Sequence, residues 1–585
     1  MDSPQPTTQV TTAALRPAAI ALLVIAAALY FFRLNDAPMY LAPDEVIIAG
    51  DAHALATTGR TLDGTRLPLY VHVAISDSWF MPYIYYWTAL WLQLLPIAEW
   101  SIRVPTAVIG IAGLVLVYRV ARRLLRDRAT ALIAAATLGC APTYFILSRY
   151  ALDYIYPIPF VLAWLLLLLI GLEPGRSHRW FFASGLALGA GFYSYISSIA
   201  LMPLFAVMTI VALRMMRRSW RDTAMVAAGF ALPLIGFVIW FVQHPEAFGG
   251  TAARYGFGQP GQHAVSVAAI AGRYVRFFHP DFLFLSGDSY LPFSTRNDGV
   301  FALAAAPLIV LGVIAAVGPR RTPITLLITA AFFAAPLPAA LLEDYGAIRR
   351  AMVMLPFASL LAGLGAEQLA CVARVPWFRA AAWIAGAALF VVGAGYLAWI
   401  VFQQGRISPT GFKVTVLAIV AIGMAIMAGR TRHGLTITTG LAAAIALQFV
   451  LLQIAYHGEY RVRSSGWLNG NFRGAMLRLI EERDKHPGAK IYFATFRNGL
   501  GFWDLKNRYF PPYWHFYLLR EGRMELEADT VFMPQNADIR TIPPGSVVLD
   551  NIEDPNLRKL LDSGSQRIAD IPEADRDPFM TIVIR

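Results

Sequence analysis

Apolar residues run through this chain in stretches of about 20, the length an α-helix needs to cross a bilayer, with short polar gaps between them. The first covers about 15–33, and others lie at about 101–118, 129–147, 155–172, 180–196, 199–216 and 223–243. A second set follows at about 298–317, 324–341, 351–370, 380–402, 412–429 and 434–455. Two gaps, 34–100 and 244–297, are longer than plain connectors usually are. Within the first, residues 79–99 are apolar and rich in Trp and Tyr. That composition suits a helix lying in the membrane interface.

Orientation follows from arginine. Clusters at Arg119, Arg122, Arg123, Arg126 and Arg128, then Arg214, Arg217, Arg218 and Arg221, then Arg320 and Arg321, then Arg430 and Arg432 fall in alternate short gaps. The positive-inside rule makes these the cytoplasmic loops. The N-terminus is then inside, and both long loops are outside. Counting residues 79–99 as a span would turn the first arginine cluster outward. The first apolar run continues into Phe31-Phe32-Arg33 without a small-residue cleavage site, as an uncleaved anchor does. With about 13 spans the C-terminus lies outside. Residues 456–585 change character, with many charged residues and short β-like runs at 490–496 and 546–550. The expected fold is therefore an all-α polytopic membrane domain, residues 1–455, followed by a small soluble α/β domain, residues 456–585.

Composition agrees. Of 585 residues 57% are hydrophobic and 15% charged, against about a quarter charged in soluble globular chains. The net charge of +12 does not point to nucleic acid, because the arginines sit in the loop clusters and form no basic–aromatic surface. Two cysteines, Cys140 and Cys371, fall near opposite ends of their spans, so no disulfide is expected, and no cysteine spacing suits a metal.

One feature of the first outer loop asks for chemistry. Asp44 and Glu45 stand side by side after Pro43 and open an amphipathic segment. As local structure, Asp44 is a helix cap and Glu45 complements the positive helix start. As function, a carboxylate at the membrane–water boundary is placed to deprotonate an acceptor. A rigid cap serves both readings.

These residues belong to a longer series. "PDE" opens the outer-loop helix, "WFMPYIYYW" follows, "SIRVPTAVIGIAGLVLVYRVARRLL" forms the second span, "SRYALDY" lies after the third, and "GLALGAGFYSY" sits in the fifth. The series resembles the GT-C membrane glycosyltransferases, in particular the protein O-mannosyltransferase and aminoarabinose (lipid A) transferase group, over about residues 15–200. The resemblance implies transfer of a sugar, with inversion, from a polyprenyl-phosphate donor to a lipid, glycan or protein acceptor on the outer side of a bacterial cytoplasmic membrane. It makes Asp44 the candidate catalytic base and Glu45 its neighbour. It matches Arg149 and Asp153 to an acceptor- or loop-positioning motif; the alternative is a mutual salt bridge. Arg349 and Arg350, at the outer start of the tenth span, become candidates for the donor phosphate, with snorkelling interfacial arginines as the alternative.

Two positions depart from the group. Trp79-Phe80-Met81-Pro82 has no Lys or His before its proline, and Ile348 to Pro356 keeps Arg and Pro without Tyr. No organic cofactor is required. A divalent metal is possible, with Asp44, Glu45, His53, His72, His263 and His279 as available ligands. The rival functions are a transporter of lipid-linked sugars, an oligosaccharyltransferase and a lipid-binding scaffold. The span middles are nearly free of the charges a transporter places there, and Gly501-Phe502-Trp503-Asp504-Leu505 keeps only a fragment of the oligosaccharyltransferase signature.

Overall fold

Proline and small residues mark where most of the helices begin and end. The computed structural model describes residues 11–75, 77–247, 249, 266–342, 347–372, 434–468, 470–494, 501–534 and 537–585. The expected spans at 380–402 and 412–429, and Glu343, Asp344 and His263, lie outside the described residues, as do the side chains of Cys371, Trp503 and Asp504. Helices in the first half are α1 (Thr11–Phe31), α2 (Pro43–Thr58), α3 (Pro82–Leu92), α4 (Glu99–Leu124), α5 (Arg128–Gly139), α6 (Pro142–Leu147), α7 (Pro157–Leu172), α8 (Arg179–Gly191), α9 (Ser198–Met215) and α10 (Trp220–Gln243). Next come α11 (Val267–Arg276), α12 (Ala306–Val317), α13 (Pro323–Ala334), α14 (Leu337–Ala340), α15 (Met354–Val372) and α16 (Gly434–Ala455).

Among the described residues six helices are long and apolar enough to cross a membrane, and two further apolar helices are shorter. The expected third span is two pieces, α5 and α6. Pro142 has no N–H to continue the first helix, so it begins the second. The aromatic segment forms α3, whose 11 residues fall short of the roughly 20 a crossing needs.

The chain divides into two compact units. The first holds Met1–Phe32, Thr106–Arg149 and Asp153–Ile454. Its helices approach closely where glycine replaces a side chain. A Cβ on Gly312 of α12 would strike the carbonyl oxygen of Leu361 in α15, and one on Gly365 would strike that of Leu308. Gly185 of α8 meets Val226 of α10 in the same way, and Gly229 of α10 meets Phe182 of α8. In a membrane such small-residue contacts let helices associate through backbone packing, since lipid gives no hydrophobic drive between them.

The second unit gathers Arg33–Pro105, Tyr150–Leu152 and Ala455–Arg585. Its C-terminal part contains α17 (Arg461–Ser465), α18 (Phe472–Lys485), α19 (Gly501–Glu521), α20 (Pro555–Asp562) and a five-stranded sheet. Strands β3 (Ile491–Phe493), β4 (Thr530–Phe532), β5 (Val547–Asn551), β6 (Gln566–Ile571) and β7 (Met580–Ile584) lie in the order β4-β3-β5-β7-β6. Both β-like runs seen in the sequence are strands, β3 and β5. The central strand β5 is buried on both faces, which explains its unbroken Val-Val-Leu run. The first loop adds a small hairpin of β1 (Val71–Val73) and β2 (Ser78–Phe80) and packs α2 against α19. Gly50 of α2 sits at that crossing, with His515 of α19 close by.

Candidate active site

The acid pair belongs to the second unit. Helix α2 starts at Pro43, and the capping position is Ala42 rather than Asp44. Alanine has no side-chain acceptor, so Glu45 turns back and takes the Ala42 N–H on Oε2 at 2.8 Å, half of a capping box.

Glu45 is fully buried, and so is the residue it faces, Arg103 of α4. Arg103 Nε donates to Oε1 at 2.9 Å and Nη2 to Oε2 at 3.1 Å. The Ala151 N–H adds a bond to Oε1 at 2.9 Å. The remaining guanidinium hydrogens go to three carbonyls: Nη1 to Leu34 and Pro38, each at 2.8 Å, and Nη2 to Tyr40 at 2.9 Å. A guanidinium carries five N–H donors, and all five are engaged. Glu45 and Arg103 thus clamp residues 34–45 and the 150–152 segment. With its oxygens spent in this way, Glu45 is a fixing group for the helix start.

Asp44 stands one residue earlier, in the first turn of α2, and is partly exposed. It lies within electrostatic reach of Tyr513 in α19, whose hydroxyl donates to the Leu41 carbonyl at 2.6 Å. Burial first, then Tyr517 and the negative charges of Glu45 and Asp44, push the Tyr513 hydroxyl well above its ordinary value. It therefore stays a proton donor at neutral pH. Tyr150, Tyr456 and Tyr460 are buried around the clamp, the last two stacked with centroids 5.4 Å apart. Two turns further along α2, Asp51 Oδ1 accepts the Leu62 N–H at 2.9 Å. Burial pushes that carboxyl up to about 6.

The other predicted residues lie in the first unit, and the structure separates them into two groups. Arg149 is buried and donates Nη1 to the carbonyls of Tyr30 (2.8 Å) and Leu29 (3.1 Å) and Nη2 to that of Phe32 (2.6 Å). Leu29 and Tyr30 lie in the last turn of α1 and Phe32 follows it, where helix carbonyls lack the N–H groups of a next turn. Arg149 thus caps the end of α1.

Asp153, Arg349, Arg350 and Tyr154 lie within electrostatic reach of Tyr195. The Arg349 guanidinium lies 5.9 Å from the Tyr154 ring centre and 5.8 Å from that of Phe293, in range for cation–π attraction. Tyr154 in turn meets Tyr195 and Phe293 edge-on at 5.6 and 5.3 Å. Arg350 is buried.

Beside Ala347, the first residue of this arginine turn, a cavity of about 1090 Å³ opens within the same unit. Arg273, Arg276, Arg296 and His279 line it, with Asp281 and Asp288. Sequence reasoning missed this basic cavity. Its signal was the cluster of arginines in and after α11, in the second long outer loop. Metal binding gains no focus: among the described residues no three His, Cys, Asp or Glu side chains come together to hold an ion, and His72 is paired with Asp77 at 3.0 Å.

Comparisons with known proteins bear on this arrangement. Residues 81–241 match the family model described as dolichyl-phosphate-mannose-protein mannosyltransferase. No curated protein matches the chain significantly in sequence. Among solved structures, ArnT from Cupriavidus metallidurans bound to undecaprenyl phosphate is similar at 16% identity and a TM-score of 0.58, covering 97% of this chain and 98% of that chain. The same protein in the apo state gives 15% and 0.57 with the same coverage. The oligosaccharyltransferase of Archaeoglobus fulgidus, tethered to an acceptor peptide, gives 10% and 0.43 over 92% of this chain and 69% of that one. The ArnT likeness, over nearly the whole chain, shows that this chain shares the fold of that protein, and within it residues 81–241 are similar to the mannosyltransferase family model.

Proposed function

We propose that this chain takes a sugar from a polyprenyl-phosphate carrier and transfers it, with inversion, to an acceptor on the outer face of a bacterial cytoplasmic membrane. The observation that carries the reading is a partly exposed carboxylate, Asp44, on a helix start held by a saturated buried ion pair, in a chain with the ArnT fold. The acceptor hydroxyl or amine attacks the anomeric carbon. The bond from that carbon to the phosphate oxygen breaks, and its electron pair leaves with the polyprenyl phosphate. The acceptor proton passes to Asp44. Such a displacement needs an oriented nucleophile, a base and positive charge on the leaving phosphate.

In this scheme Asp44 is the base. Glu45 and Arg103 are positioning residues that act through the backbone of α2. Arg349 and Arg350 hold the phosphate, since a guanidinium meets phosphate with two parallel hydrogen bonds. The arginines of the neighbouring cavity add positive charge, and Asp153 orients the arginine turn or the acceptor. A lipid, a cell-surface glycan or a protein fits the acceptor role.

The test is to incubate the purified full-length protein with a panel of polyprenyl-phosphate sugars and to measure released polyprenyl phosphate. Release with one donor, rising with added acceptor, is the expected result. Passage of the intact lipid-linked sugar across vesicles without release would replace the transferase by a transporter.

A further inference from the structure

We infer that Asp288 is a positioning residue for donor binding, because its carboxylate ties the wall of the basic cavity to the backbone of the arginine turn. The inference rests on the reading of Arg349 and Arg350 as phosphate-holding groups. Asp288 is 3% exposed and lines the cavity. Its Oδ1 accepts the Tyr290 N–H at 2.9 Å, and its Oδ2 accepts the Ile348 N–H, also at 2.9 Å, from 60 residues away. Ile348 lies inside the 3-10 turn Ala347–Arg350. A carboxylate buried among arginines has an evident alternative, a direct ion pair; here both oxygens also reach backbone N–H groups.

The segment that carries Asp288 is itself firmly built. Gly287 has φ +70°, and a Cβ there would meet Ser294 Oγ at 2.6 Å and the Asp298 carbonyl at 2.7 Å. Ser294 Oγ donates to the Ser286 carbonyl at 2.9 Å, and Thr295 Oγ1 to Asp298 Oδ2 at 2.7 Å. The same segment supplies Phe293, one of the two rings under the Arg349 guanidinium. The loop therefore holds Arg349 twice, by its ring face and, through Asp288 and Ile348, by its backbone. Arg350 follows directly in the same turn. Losing the carboxylate frees the turn while leaving every cation in place. The cost then falls on preorganisation, and it shows as weaker donor binding.

The experiment uses the full-length protein in lipid nanodiscs with polyprenyl phosphate as the binding probe. Hydrogen exchange over residues 347–350, the donor KM and kcat are read alongside. Asp288→Ala is expected to speed exchange in the turn and to raise Kd and donor KM about tenfold, the equivalent of one charge-assisted hydrogen bond, with kcat within about twofold. Asp288→Asn keeps one carbonyl acceptor and the volume. It is expected to fall between wild type and Asp288→Ala, and it serves as the test if the alanine variant does not fold. Unchanged exchange over 347–350 in these variants overturns the inference. So does faster exchange with unchanged Kd, provided Arg349→Ala and Arg350→Ala weaken binding. If the arginine variants bind polyprenyl phosphate normally, the phosphate-holding reading is what fails, and with it the inference's link to donor binding.

Discussion

Replacing Arg103 by leucine is the sharpest test of the clamp. The substitution removes all five guanidinium donors at once. Glu45, fully buried, keeps only the N–H groups of Ala42 and Ala151, and the carbonyls of Leu34, Pro38 and Tyr40 lose their guanidinium donors. Removing one partner of a buried pair costs about 3–5 kcal/mol, and each carbonyl left without a donor adds about 1 kcal/mol or more. The sum, about 6 kcal/mol or more, rivals the total stability of a typical domain, about 5–15 kcal/mol. Arg103→Leu should therefore yield little folded protein, or a denaturant midpoint far below wild type. The double variant Glu45→Leu with Arg103→Leu removes both charges, so its loss should fall short of the two single losses added together by about 2 kcal/mol. Arg103→Lys keeps the charge but offers three donors instead of five, and should be intermediate. The assay is denaturant titration of each detergent-solubilised variant, followed by tryptophan fluorescence. A midpoint for Arg103→Leu equal to wild type, or strict additivity in the double variant, would mean that the buried pair does not hold this segment.

Other outcomes follow from particular residues. Burial raises the Asp51 carboxyl from 3.8 to about 6, so the folded state holds this proton more tightly than the unfolded one. The stability this brings is complete below the unfolded value and is lost as pH rises through about 6, a change of about 3 kcal/mol at 1.36 kcal/mol per pH unit. Asp51→Asn should flatten the dependence of the unfolding midpoint on pH between about 4 and 6.5 and raise the midpoint at pH 7.5; an unchanged slope contradicts this. Gly312→Leu puts a side chain where α12 meets the Leu361 carbonyl of α15, so the folded yield in size-exclusion chromatography should collapse, whereas Gly175→Ala, at a glycine with open space around it but φ +76°, should cost only about 1 kcal/mol of local strain.

Much of the fold was legible because membranes write simple rules. Apolar length marks the spans, and α4, α7, α9, α10, α15 and α16 fall close to their expected positions. The break between α5 and α6 carries a signal in Cys140-Ala141-Pro142, which the apolar run around it masks. The C-terminal strands β3 and β5 show as short β-branched and aromatic runs, whereas β6, Gln566–Ile571, mixes charged residues through its length. The association of residues 33–105 with 455–585 leaves no trace in local periodicity, because it depends on contacts between segments hundreds of residues apart.

The candidate site was legible in part. The acid pair at a proline-led helix start is visible in "PDE", and the two residues differ in a way the letters hide. Glu45 points into the clamp because its partner, Arg103, lies 58 residues away. The clue to that partner was present: an arginine in an otherwise apolar run is costly unless it is paired. Arg149 followed the same physics toward a different end, the carbonyls at and just after the end of α1. The cavity arginines Arg273 and Arg276 escaped notice because no spacing of basic residues tells which of them face a common hollow.

The claim that matters most is that Asp44 takes the acceptor proton. It is tested by comparing donor turnover of wild type and Asp44→Asn, with the denaturant midpoint of both measured on the same preparations. A general base of this kind contributes about 10²–10⁴-fold to rate, so the variant should unfold like wild type and release polyprenyl phosphate at least about a hundredfold more slowly. Turnover within a few-fold of wild type in a fully folded variant would contradict the account.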